Sequence, residues 1–201
     1  MKTREEIIAQ RGYPPNILGT TADLETSSYH SSAAYLAKRL ANPNRTLTEL
    51  CCGIGIFLLE AAPQFAHVTG IDSDPSALDS CAKNLAALGL ADRATLLLRN
   101  IQTPRALDEL TLDIAVYDIP FWNTRDEHKN PPFGYFLKRL LQKTPDVAVT
   151  LPPKYTAHFL HTCFSPCEVE RVLINGKHDR NHAYFGTLRR GTDTEISLET
   201  S

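Results

Sequence analysis

Two short runs hold residue types and spacings that could do chemistry. The first reads Thr46-Leu47-Thr48-Glu49-Leu50-Cys51-Cys52-Gly53-Ile54-Gly55-Ile56-Phe57. A strand pattern enters a turn with two glycines, and a helical pattern leaves it. A nucleoside can lie close against such a backbone because side chains are missing where it approaches. Asp72 follows Gly53 by 19 positions (72 − 53 = 19), at the end of the next strand-like run. An acid at about that spacing accepts hydrogen bonds from ribose hydroxyls.

Two cofactor classes use this layout. A dinucleotide site wants a small third residue, so that a pyrophosphate can seat on a closely packed helix N-terminus. Leu58 stands at that position. S-adenosyl-L-methionine has no pyrophosphate, and Leu58 is then harmless. Glu49, four positions before Gly53, could orient the turn or meet a methionine amino group. Asn100 ends the third strand-like run, where its side-chain carbonyl could accept from an adenine amino group. The cofactor reading therefore takes in Glu49, Cys51, Gly53, Gly55, Asp72 and Asn100. A tight turn without a ligand, and an asparagine that merely ends a strand, are the competing readings.

The second run follows the strand pattern LDIAVY and reads Asp118-Ile119-Pro120-Phe121-Trp122. Enzymes that methylate amino groups usually carry Asp, Asn or Ser, then Pro-Pro, then an aromatic residue at this place. A conjugated amine is a poor nucleophile, so acceptors must hold its hydrogens while its lone pair faces the methyl group. A ring can stack the base, at roughly 1–3 kcal/mol per base. Positioning then supplies most of the rate. Asp118, Pro120 and Phe121 are the candidate catalytic set, with Ile119 in place of the first proline. Asn130-Pro131-Pro132-Phe133 matches the pattern more literally but follows a charged flap, Asn123 to Asn130, rather than a strand.

These runs need elements to hold them. Apolar strand-like runs alternate with helical patterns, which predicts a mainly parallel sheet covered by helices on both faces. Strands are expected at 46–50, 67–71, 94–98, 113–117, 147–151, 168–174 and 183–188. The last two form an antiparallel hairpin around a polar turn at 175–181. Helices are expected over 32–41, with Ala34, Leu36, Ala37 and Leu40 inward, and over 56–62, 75–88, 136–143 and 155–163. Pro75 suits a first helical position and Gly89 a helix end. Residues 1–25 read as an N-terminal extension, 26–190 as the domain, and 191–201 as a polar, frayed tail.

Composition sets the outer limits. The chain has 201 residues, enough for one domain with a sizeable core. Its net charge is −2, which neither marks nor excludes a nucleic-acid binder, since a local basic patch suffices. Lys154, Lys177, Arg180, Arg189 and Arg190 are candidates for such a patch. No apolar run approaches the length of a membrane span, and the start is charged rather than signal-like, so a cytoplasmic protein is expected. The five cysteines make no CxxC pair. Cys163 and Cys167 with His158 and His161 fit no standard zinc spacing, so no metal is expected.

With these residues placed, residues 26–190 resemble the trimethylguanosine synthase family, the RNA cap guanine-N2 methyltransferases. CCGIG looks like that family's CGxGG, and the stretch from Gly70 to Asn100 is similar to its second strand, helix and third strand. LPPK at 151–154 fits the family's fifth-strand exit. EVERVLINGKHDRNHAYFGTL, with Asn175, Lys177 and the Ala183-Tyr184-Phe185-Gly186 strand, is the most specific match. The resemblance implies a Rossmann-like class I methyltransferase fold with a seven-stranded sheet, S-adenosyl-L-methionine as cofactor, and guanine N2 of RNA as target. The family motif at the second run is Ser-Pro-Pro-Trp, so Asp118, Ile119 and Phe121 depart from it. Methylation of a protein amide or small amine, or cofactor binding without catalysis, are the alternatives.

Overall fold

The computed structural model describes residues 2–101, 103, 105–118 and 133–200. In chain order the elements are α1 (Arg4–Arg11), α2 (Thr21–Thr26), α3 (His30–Leu40), β1 (Asn42–Leu50), α4 (Ile56–Ala61), β2 (Phe65–Asp72), α5 (Pro75–Ala87), β3 (Ala94–Leu98), β4 (Ile114–Asp118), α6 (Phe133–Lys143), β5 (Val147–Leu151), α7 (Ala157–Phe164), β6 (Glu168–Ile174), β7 (Lys177–Tyr184) and β8 (Thr194–Leu198).

One sheet runs in the order β3-β2-β1-β4-β5-β7-β6-β8. Strands β1 to β5 pair in parallel, while β7 is antiparallel to both β5 and β6. The order reverses between β1 and β4, and ligands of open α/β sheets bind beyond the strand ends at such a point. The two faces carry separate cores. Residues of α1 to α5 pack on one face, around Leu36, Leu47, Phe57, Leu58 and Leu85. Residues of α6 and α7 pack on the other, around Leu137, Leu140, Leu160 and Val149. Helices on both faces and a closing antiparallel hairpin are as the sequence predicts.

Local chemistry explains several boundaries. Asp74 caps α5 by accepting from the Ser76 and Ala77 amides, Pro75 takes the first turn, and Gly89 (φ 69°) follows the helix end. Thr3 with Glu6 and Thr20 with Asp23 form capping boxes that start α1 and α2. Strand β5 is buried along its whole length, as its mainly apolar run, broken only by Thr150, requires between β4 and β7.

The structure corrects three expectations. The hairpin turn is only Asn175-Gly176, both at positive φ, so β7 starts at Lys177 and ends at Tyr184 rather than spanning 183–188. An Asn-Gly pair favours such a two-residue turn; the polar run after it is strand because Arg180, Asn181 and His182 point into the protein. The tail is not frayed: Thr194–Leu198 adds β8, parallel to β6, and makes eight strands rather than seven. On α3, Ala33 rather than Ala34 is buried beside Leu36, Ala37 and Leu40. Leu58 on α4 is accommodated against the sheet because Gly70 on β2 lies under it. A Cβ added to Gly70 would come 2.4 Å from Leu58 Cδ1.

Arg39 joins α3 to the hairpin. Its guanidinium pairs with Glu168 at 2.9 Å and lies 4.3 Å from the centre of the Tyr184 ring. Both partners of that ion pair are buried, so loss of one would leave the other uncompensated.

Candidate active site

The first run and Asp118, which opens the second, meet at the C-terminal ends of β1 and β4, which are hydrogen-bonded neighbours. The turn after β1 is held in left-handed backbone at Cys51 (φ 65°), Gly53 (φ 52°) and Gly55 (φ 85°). The two glycines do different jobs. A Cβ at Gly53 would meet no atom within 4 Å, so that side of the turn is open to a ligand. A Cβ at Gly55 would lie 2.3 Å from Cys81 Sγ, so this glycine lets α5 pack against the turn.

Asp72 ends β2 and reaches back to the turn. Its Oδ2 accepts from the Gly53 amide (2.8 Å) and its Oδ1 from the Asp74 amide (3.0 Å). It therefore shapes the turn besides presenting a carboxylate to it. Asn84 on α5, buried, ties the same turn to the N-terminal segment. Its amide donates to Ile54 O (3.1 Å) and Leu18 O (3.0 Å), and its Oδ1 accepts from the Leu18 amide. Asn100 lies exposed just past β3.

Glu49 sits beneath the turn on β1 and is 3% exposed, with no hydrogen-bond partner for Oε2 among the described residues. Burial, and then the neighbouring Asp118, hold its carboxyl well above the ordinary glutamate range. An unpartnered buried oxygen costs free energy unless a ligand or proton satisfies it. Cys51 and Cys52 are also pushed up, Cys51 by burial and Cys52 first by its contact with Cys81, so both are thiols rather than nucleophilic thiolates.

Asp118 ends β4 and shares a recess with Glu49, Ser28, Thr150, Arg180 and His182. Ser28 Oγ donates to Asp118 Oδ2 (2.9 Å), and Arg180 Nη1 donates to Ser28 Oγ. Burial pushes the Asp118 carboxyl up, while Arg180 and the Ser28 hydroxyl pull it down. His182 is held neutral: burial, helped by Arg180 and Arg39, depresses it to about 3. Pro120 and Phe121, the other members of the candidate catalytic set, lie outside the described residues. So does the charged flap at 123–130.

Sequence reading missed the inward role of Ser28, Arg180 and His182. Arg180 was grouped with surface cations, yet it is 5% exposed and faces Asp118, whereas Lys154, Lys177, Arg189 and Arg190 are exposed. A period-two reading of residues 177–184 would have placed Arg180, His182 and Tyr184 on one face of a strand. Among the described residues no group of three or more His, Cys, Asp or Glu side chains could hold a metal, and no helix is long and apolar enough to cross a membrane.

Residues 48–130 match a methyltransferase domain model. The U6 snRNA (guanine-N(2))-methyltransferase THUMPD2 of Bos taurus is 34% identical over 131 residues, 63% of this chain and 25% of that protein. The rRNA N(6)-adenosine-methyltransferase metl-5 of Caenorhabditis elegans is 35% identical over 80 residues, 38% of this chain and 37% of that protein. The chain thus spans only about a quarter to two-fifths of the length of these relatives. Among solved structures, a rRNA methylase from Streptococcus thermophilus superposes with a TM-score of 0.55 at 14% identity, covering 79% of this chain and 95% of that one. The fold is the Rossmann-like class I methyltransferase fold. The matched domain bears out the expected enzyme class, an S-adenosyl-L-methionine-dependent methyltransferase, and its cofactor.

Proposed function

We propose that this methyltransferase acts on RNA, at an exocyclic amino group of a base, with guanine N2 as the target. In this reading Gly53 admits the cofactor against the turn, Gly55 and Cys51 shape that turn, Asp72 meets the cofactor's ribose, Asn100 its adenine, and Glu49 its methionine end. One observation supports the reading most. A half-buried carboxylate, Asp118, is held by Ser28 at the exit of the strand beside the cofactor turn. That is where an amine must present its hydrogens to an acceptor. The two relatives also act on amino groups of RNA bases, by their names.

The step balances without a metal or redox partner. The amine lone pair forms the new C–N bond as the methyl's bond to sulfur breaks, and S-adenosylhomocysteine leaves. The proton lost from nitrogen passes to Asp118 or through it to water. Asp118 is suited to this because burial raises its carboxyl and makes it a better proton acceptor, while Arg180 and Ser28 oppose that rise. Pro120 and Phe121 would complete the site by a backbone acceptor and a stacking ring.

The test is tritiated S-adenosyl-L-methionine offered to total RNA and total protein from the source cell, followed by digestion of the RNA to nucleosides. Label in N2-methylguanosine supports the full reading. Label in N6-methyladenosine keeps RNA and overturns guanine. Label on protein alone overturns RNA.

A further inference from the structure

We infer that the exit of β5 and the start of α7 form a stacking platform for unpaired RNA nucleotides that flank the target base. This rests on the RNA reading above and deepens it. Asp118 pairs in register with Thr150 of β5, so the segment from Leu151 onward leaves the sheet beside the transfer site. That segment is Pro152-Pro153-Lys154-Tyr155, and it leads directly into α7. Its backbone is anchored: the buried Asn181 side chain donates to Tyr155 O at 2.9 Å.

Aromatic rings collect at this point. The Tyr155 ring lies 5.2 Å from that of Phe133 and 5.7 Å from that of Phe159. Phe164 backs the group at 5.7 Å from Phe133. The cluster is not sealed: Phe159 is 38% exposed, and Phe133 and Tyr155 are partly so. The Lys154 ammonium sits 5.2 Å from the Tyr155 ring centre and is exposed.

Charge favours a polyanion here. Residues 133–167 hold four Lys or Arg (138, 139, 143, 154) and one acid, Asp146, in a chain whose net charge is −2. Asp146 is buried and engaged by Arg45 and Thr187. From outside that stretch Asp193 pairs with His161 on α7 and Asp108 with Arg139 on α6, which leaves Lys154 as the cation beside the rings. Exposed rings interleaved with a lysine are what a single strand needs: faces for bases and a cation for phosphate.

The test uses the intact protein, a fluorescein-labelled single-stranded RNA of about 12 nucleotides, and a duplex of the same length. Phe159→Ala is expected to weaken single-strand binding about 5- to 100-fold and duplex binding little. Lys154→Ala should lower the salt slope of log affinity by about one. Affinity for S-adenosyl-L-methionine is expected to stay unchanged in both variants, which also reports that they fold. Wild-type binding of single strands by Phe159→Ala overturns the platform. Competition by polyglutamate as strong as by single-stranded RNA marks a surface for acidic protein segments and overturns it too. RNA methylation that persists in either case leaves the RNA reading standing, whereas an unmodified chain that neither binds nor methylates RNA fails both.

Discussion

Asp118, Glu49 and His182 are three titratable groups within one recess, where both carboxyls are raised and the imidazole is lowered. Asp118 has a guanidinium and a hydroxyl turned toward it. Replacing it with Asn removes the proton acceptor but keeps its shape. We expect kcat to fall at least about 100-fold while cofactor affinity, by calorimetry, stays within about twofold. Ser28→Ala removes a hydrogen bond that favours the carboxylate. The acid limb of the kcat/KM profile should therefore move to higher pH. Arg180 and Asp179 on β7 and Glu49 on β1 also act on this limb, so the shift is read against the wild-type chain in the same buffers.

Glu49 is raised as well, and burial is again the first cause. Its folded-state pKa is raised, so the native state holds a proton that the unfolded state has lost once pH exceeds the ordinary glutamate value. Stability is thus drained as pH rises through that window. Glu49→Gln should melt higher than wild type at pH 8 and alike below pH 4, about the ordinary carboxylate range. The same substitution should weaken S-adenosyl-L-methionine binding, because the carboxylate is then absent. Equal melting at both pH values would show that Glu49 is not strained in the unliganded protein.

At the scale of elements, the cofactor turn depends on two close approaches that a glycine pattern alone does not reveal. Gly55 makes room for Cys81 of α5, and Gly70 makes room for Leu58 of α4. The missing small residue on the helix is thus replaced by one on the facing strand. Gly70→Ala should cost about 1–3 kcal/mol by overpacking. Combining it with Leu58→Ala should cost less than the sum of the two single changes, with a coupling of about 0.5–3 kcal/mol by urea denaturation. Additive costs would mean that the two side chains do not compete for the same space.

The element boundaries show why part of this was legible. The spans of β3, β5 and β6 follow from their apolar runs and were read to the residue. Strand β7 was not, because KHDRNH looks like loop when its polar side chains have no visible partners. Those partners come from distant sequence: Ser28 for Arg180, Tyr155 O for Asn181, Tyr35 for His182.

At the scale of the molecule, β7 and α3 share a buried polar layer that ties the hairpin to the helices. Tyr35 and Tyr184 both donate to Glu170, and Arg39 reaches Glu168. His182 lies in this layer, 1% exposed and neutral. Its folded pKa is about 3 against an unfolded 6.5. A depressed group of this kind withdraws stability as pH falls from about 6.5 toward 3, at up to about 1.4 kcal/mol per pH unit. The melting temperature should fall over that interval, and His182→Gln should flatten the fall between pH 6.5 and 5. An unchanged slope in the variant would assign acid lability to other groups.

The N-terminal residues belong to the same picture. Ile7, Ile8, Tyr13, Ile17 and Leu24 are buried in the core that includes α3 to α5. Tyr13 donates to Ser28 O, and Asn84 grips Leu18, so this segment sets the height at which Ser28 meets Asp118. As an extension of unknown packing it had no such role in the sequence.

The sequence by itself determined the α/β alternation, the glycine turn with Glu49 and Asp72, and the position of Asp118 at a strand exit. These depend on local periodicity and on spacing within one βαβ unit, which a chain carries in order. Only the tertiary structure decided what surrounds them. Arg180 and His182 became part of the site, Gly70 relieved Leu58, and a polar tail became an eighth strand. Each depends on a partner dozens of residues away, and a buried polar group or an unpaired strand edge has no reading until that partner is in place.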